Sequence, residues 1–187
     1  GDQEAHVAGP QKSWRVRFKG DTLFNGEKEI DLILPQGRLY LLEELNNYRA
    51  RKLGLIVPES RFVMLRVNGR TIGVYWAAEH WSEELLEKHI KDTSTALYGE
   101  DGFGSEFLYE DPAAWQAYTG EKKDEIPDRS SLASLLRLLG NPSRRKFERE
   151  IGGILDLDTV YRWHTAAALS GSASADKFHN VRLYFDP

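Results

Sequence analysis

No cysteine occurs among the 187 residues, which excludes disulfide staples, zinc-thiolate sites and thiol catalysis together. Folding needs no such staple, because a chain of this length can bury roughly 70% of the surface its unfolded form exposes. Long apolar runs are missing too: none approaches the ~18 residues of a membrane span. Nor is there an excess of positive charge. With 25 Lys and Arg against 29 Asp and Glu, the formal net charge of -4 gives no general attraction to nucleic acid or to an anionic membrane. Any hold on phosphate must come from local basic residues. Histidine is scarce, five residues without paired spacing, so zinc binding is not expected. No repeat period or low-complexity tract is present. What remains is globular composition, 41% hydrophobic, 29% charged and 11% aromatic, enough for one domain or two small lobes.

Residues 1–12 are polar and punctuated by Gly, a loop that leads into a strand. From Ser13 to Lys19, Trp14, Val16 and Phe18 alternate with Arg15, Arg17 and Lys19, which predicts a strand with its apolar face buried. Lys12 shares the parity of that face. A lysine there usually snorkels to solvent; the functional alternative aims its ammonium at nucleotide phosphates. Glu29 to Leu34 predicts a second strand, stopped by Pro35. Arg38 to Leu53 predicts a helix, since Leu41, Leu42, Leu45, Tyr48 and Leu53 recur near the 3.6-residue period. Gly54 stands where a left-handed C-cap falls, after the last-turn cations Arg49, Arg51 and Lys52. Glu43 and Glu44 of this helix read as a solvated face, or one of them as the partner of Lys12. Ser60 to Val67 and Thr71 to Ala78 flank Asn68-Gly69, a strong type I′ hairpin signal. Ser82 then caps a helix running to about Ile90, with Leu85 and Leu86 inward. A small sheet therefore gives way to a helical part near Glu79, and clefts between lobes commonly take ligands.

Between Lys91 and Asp128 the pattern is weak. Leu97-Tyr98 and Phe107-Leu108-Tyr109 are candidate short strands, and Asp101-Gly102-Phe103-Gly104 is a turn. Leu132, Leu135, Leu136 and Leu139 form an apolar stripe ended by Gly140. Asn141-Pro142 predicts the start of a basic helix in N-cap and N1 order. Asp156 or Asp158 caps a last helix that contains Val160, Trp163, His164, Ala167 and Leu169 and ends near Gly171. Asp176-Lys177-Phe178-His179-Asn180 then precedes the alternating strand Val181 to Phe185. An Asp and an Asn in a loop are most often turn formers that bond their own backbone. The chemical reading is phosphoryl transfer, in which an Asp accepts or orients the hydroxyl proton and an Asn a few residues on supplies a neutral oxygen to Mg²⁺.

Three segments taken in order carry a resemblance: Gly9-Pro10-Gln11-Lys12-Ser13-Trp14-Arg15-Val16-Arg17-Phe18, then Asn68-Gly69-Arg70-Thr71-Ile72-Gly73-Val74-Tyr75 through Glu79, then Asp176 to Tyr184 with its His179-Asn180 pair. Across essentially the whole chain they resemble the CotH kinase family, atypical protein-kinase-like domains first associated with bacterial spore coats. The resemblance implies an α+β, protein-kinase-like two-lobed fold. A small antiparallel sheet with a packed helix would occupy residues 1–80 and a mainly helical lobe residues 81–187. It also implies transfer of the γ-phosphoryl group of ATP to Ser/Thr hydroxyls of a protein substrate, with Mg²⁺ or Mn²⁺, at a cell or spore surface. By this resemblance Lys12 contacts the phosphates, Glu43 pairs with Lys12, and Glu79 is the acid at the junction of the lobes. Asp176 is then the catalytic Asp and Asn180 a metal ligand. Asp176 and Asn180 are four residues apart, against five in ordinary protein kinases. A second metal-binding carboxylate would follow the next strand, and Asp186 lies too close to the strand end for that role. The chain is therefore read as a portion of a longer protein, expected to be inactive alone. The competing reading is a non-catalytic surface or spore-coat-type binding module that keeps the fold without turnover.

Overall fold

The computed structural model describes residues 11–89, 91–100, 108–120, 128–171 and 181–186. They form a mixed α+β structure with two small antiparallel sheets and several helices. Contacts divide the chain into two compact units, Gly1–His89 and Ile90–Pro187, where the sequence places the division near residue 80.

The first unit is organised by a four-stranded sheet in the order β1-β2-β4-β3, built from β1 (Trp14–Arg17), β2 (Glu29–Ile33), β3 (Ser60–Val67) and β4 (Arg70–Glu79). The β3–β4 hairpin forms as expected. Asn68 and Gly69 take φ of 50° and 79°, the paired positive values of a type I′ turn, whose twist matches that of the strands. The register puts Ser60, Phe62, Trp76 and Ala78 on one face and Tyr75, Ala77 and Glu79 on the other. Helix α1 (Leu42–Lys52) docks on the first face and ends before Gly54, whose φ of 73° is left-handed. It begins later than Arg38, because Pro35–Arg38 forms a 3₁₀ turn and Leu39 and Tyr40 have positive φ, which no right-handed helix continues through. Helix α2 (Glu83–Lys88) is capped by Ser82, whose Oγ accepts from the Leu85 amide at 3.4 Å, and buries Leu85 and Leu86 completely. Two apolar faces depart from expectation. On the edge strand β1, Trp14 is 54% exposed and Val16 is exposed as well; on α1, Leu42, Leu45 and Tyr48 face solvent. Periodicity identifies an apolar face but not whether another element covers it.

In the second unit β5 (Leu97–Glu100) pairs antiparallel with β6 (Trp115–Thr119) and with β7 (Arg182–Tyr184). Leu108-Tyr109 is a turn rather than a strand. Helices α3 (Ser130–Leu139), α4 (Arg144–Glu150) and α5 (Leu157–Ser170) follow. The buried leucines of α3 are Leu132, Leu135, Leu136 and Leu138, while Leu139 is exposed. Leu132 and Leu136 pack with Tyr98, Leu108 and Trp115, whereas Leu135 and Leu138 pack with Ile151. The start of α4 lies beyond Asn141-Pro142: Asn141 Oδ1 accepts from the Ser143 amide at 2.9 Å in an Asx turn, and Ser143 is the cap, accepting from the Lys146 amide at 3.3 Å. Asp156 caps α5 through the amides of Asp158 and Thr159 at 3.1 and 3.3 Å, and Gly171 closes it with φ of 60°. Among the described residues no helix is long and apolar enough to cross a membrane.

Candidate functional site

Lys12 stands just before β1 in a segment stitched to the sheet. Gln11 Nε2 donates to the Ile72 carbonyl at 2.6 Å, the Tyr75 hydroxyl donates to the Lys12 carbonyl at 3.0 Å, and Ser13 Oγ accepts from the Leu34 amide at 3.2 Å. The lysine side chain is exposed and bonds to no described residue. A fixed main chain thus presents an ammonium that no described group neutralises.

On α1 the engaged acid is Glu44. Its Oε2 accepts from Trp76 Nε1 at 3.2 Å and from Ser60 Oγ, and its Oε1 from Arg51 at 2.9 Å. Burial pushes this carboxyl up, but the hydrogen bonds from Ser60, Trp76 and Arg51 outweigh burial and hold it below the ordinary glutamate range. The carboxylate therefore fastens the helix to strands β3 and β4. Glu43 is half-buried and bonds to no described residue. The structure pairs Lys12 with neither glutamate.

Glu79 ends β4 with its side chain only 1% exposed. Oε1 accepts from Lys88 Nζ at 2.8 Å and Oε2 from the Glu59 amide at 3.3 Å. Glu27, equally buried, binds the Arg61 guanidinium through bonds of 3.0 and 3.4 Å. Burial pulls the Lys88 ammonium down, but the hydrogen bond and charge of Glu79, with the charges of Glu59 and Glu27, carry it above the usual lysine range. Buried carboxylates persist only when paired in this way. Both oxygens of Glu79 are taken by protein groups, and its pair with Lys88 ties the end of β4 to α2.

Asp176 and Asn180 lie outside the described residues. On either side of them, α5 ends at the left-handed Gly171, and β7 is held to β5 by the Arg182–Glu100 ion pair, with the Arg182 guanidinium 5.1 Å from the Tyr118 ring centre. Asp186 is bonded to Lys91 at 2.6 Å. Among the described residues no cluster of three His, Asp or Glu side chains could hold a metal ion. The oxygen donors of Asp176 and Asn180 are of the type a hard divalent cation takes. Sequence reasoning singled out Lys12 and weighed Glu43 and Glu44 as its partner, but gave no role to Gln11 and Tyr75, which bond the Lys12 segment to β4. One signal was available, since a glycine inside a strand pattern, here Gly73, marks a bulge or a close backbone approach.

A family model described as CotH kinase protein matches residues 5–187. Among curated proteins, the inner spore coat protein H of Bacillus subtilis (strain 168) is 24% identical over 185 residues, which cover 93% of this chain and 49% of the relative. The chain spans about half the length of that relative.

Proposed function

The chain belongs to the CotH kinase protein family, and from that premise we propose that it transfers the γ-phosphoryl group of ATP to Ser/Thr hydroxyls of a protein, within a protein-kinase-like two-lobed fold. The observation that carries this reading is the span of the match, which takes in both Lys12 and the Asp176 to Asn180 segment. Lys12 binds the nucleotide phosphates from its fixed main chain. Asp176 orients the acceptor hydroxyl and takes its proton. Asn180 gives an amide oxygen to the cation. Bound Mg²⁺ or Mn²⁺ supplies neutralisation of phosphate charge. Because Glu44 is already held by Ser60, Trp76 and Arg51, Glu43 is the α1 acid left for Lys12 once nucleotide binds. Glu79 acts through the fold, by anchoring α2. The name of the spore coat relative supports a place at the spore or cell surface.

The test is a thermal shift of the natural full-length protein with ATP and Mn²⁺. Ligand at about 100 times its Kd stabilises the folded state by about 2.7 kcal/mol, so Tm rises with nucleotide concentration, and Lys12→Met blunts the rise. A non-catalytic binding module that has lost the nucleotide site gives no shift at any concentration.

A further inference from the structure

We propose that Tyr75, Gly73 and Gln11 are positioning residues for Lys12, forming a main-chain clamp built on a bulge in β4. The inference rests on the reading of Lys12 as the nucleotide-binding lysine. In the β3–β4 register Leu65 faces Gly73 and Arg66 faces Thr71, so Ile72 is an extra residue on β4. A bulge leaves such a residue out of the ladder. Here the Ile72 carbonyl is taken by Gln11 Nε2 at 2.6 Å, which fixes the amide orientation, since only the NH₂ end can donate to a carbonyl.

Gly73 makes this contact possible in two ways. Its φ of 147° is one that residues with a side chain rarely adopt, and a Cβ there would stand 2.1 Å from Gln11 Nε2. Two residues further on, the fully buried Tyr75 donates to the Lys12 carbonyl at 3.0 Å. One short stretch of β4 therefore holds Gln11 by its side chain and Lys12 by its main chain. The ammonium is left to the ligand. Fixing the root of a flexible side chain lowers the ordering cost of each binding event.

The experiment compares the natural full-length protein with Tyr75→Phe and Gly73→Ala by ATP–Mn²⁺ affinity, steady-state kinetics and amide hydrogen exchange. Tyr75→Phe should weaken nucleotide affinity and raise KM for ATP about two- to tenfold, at most the worth of one hydrogen bond, with kcat unchanged and Tm a few degrees lower because the bond is lost from the nucleotide-free protein too. Gly73→Ala should do more. Exchange across residues 11–17 should rise in both variants, with or without nucleotide. A Tyr75→Phe protein that binds ATP–Mn²⁺ as wild type does, or lowers kcat without raising KM, overturns the clamp alone. Wild type that binds no ATP–Mn²⁺ defeats the nucleotide reading, and exchange then decides the clamp: unchanged protection across residues 11–17 in Tyr75→Phe overturns it.

Discussion

In the first unit two carboxylates, Glu27 and Glu79, sit among the most deeply buried side chains, each held by a cation, and α1 reaches the sheet through the carboxylate of Glu44. In the second unit Tyr98, Leu108, Trp115, Leu132 and Leu136 make one apolar cluster, and Leu135, Leu138 and Ile151 make another. Its buried ion pair, Glu100–Arg182, joins two strands of the same sheet. Apolar packing is non-directional. Charged hydrogen bonds fix orientation but fail badly when one partner is lost. The first unit, which carries Lys12, adds these charged ties to its own buried Tyr75, Trp76, Leu85 and Leu86, while the buried leucines and aromatics of the second form two defined clusters.

The largest effect should come from the apolar side of this contrast. Trp115 is 1% exposed, donates to the Leu108 carbonyl and meets Tyr109 edge-on with ring centres 5.8 Å apart. Trp115→Ala should cost about 3–5 kcal/mol, read by chemical denaturation. Trp115→Phe should recover much of the packing but leave the Leu108 carbonyl without its donor.

On the charged side, Lys88→Met removes the cation from Glu79 and leaves a buried carboxylate without its ion pair. The penalty for breaking a buried pair is reduced here because Lys88 is 27% exposed, giving an expected loss of about 2–3 kcal/mol. If Lys88→Met is as stable as wild type, the contrast between the units fails at its clearest point.

The smallest effect is a pH dependence. The carboxyls of Glu44 and Asp31 are both held below their ordinary values of 4.5 and 3.8. For Asp31, burial opposes the shift, and hydrogen bonds from His80 and Arg15 outweigh it. A depressed folded-state pKa contributes stability that is present above the unfolded value and is lost as pH falls through the folded one. Stability measured by urea denaturation should thus hold near pH 6 and decline below about pH 4.5. Glu44→Gln should lower stability by about 1–2 kcal/mol at neutral pH and flatten part of the acid decline. An unchanged acid limb in that variant would remove Glu44 from the account.

The features legible in sequence are those whose chemistry is local. Asn68-Gly69 specifies its turn through positive φ at adjacent residues, and Ser82 and Asp156 announce helix starts because each bonds amides within three residues. Non-local choices were hidden. Nothing in Trp115 to Thr119 alternates cleanly, yet pairing with β5 makes it a strand. Leu138 rather than Leu139 faces inward because Ile151, thirteen positions on, packs there. The apolar face of α1 has the right period and stays exposed. At the site, Lys12 could be picked out by its place before a strand, but Tyr75 lies 63 positions away, and no spacing rule connects them. Asp176 and Asn180 were singled out by residue type and by family likeness.

The most direct test of the proposed chemistry is single-turnover transfer from ATP to a serine-rich protein, measured beside nucleotide affinity, for the natural full-length protein and its Asp176→Asn variant. Loss of a general base typically slows the chemical step about 10² to 10⁴-fold, so transfer should fall by that factor while ATP–Mn²⁺ affinity stays within about twofold of wild type. Equal losses in transfer and affinity, or transfer at the wild-type rate by the variant, would contradict the assignment of Asp176 to the acceptor hydroxyl.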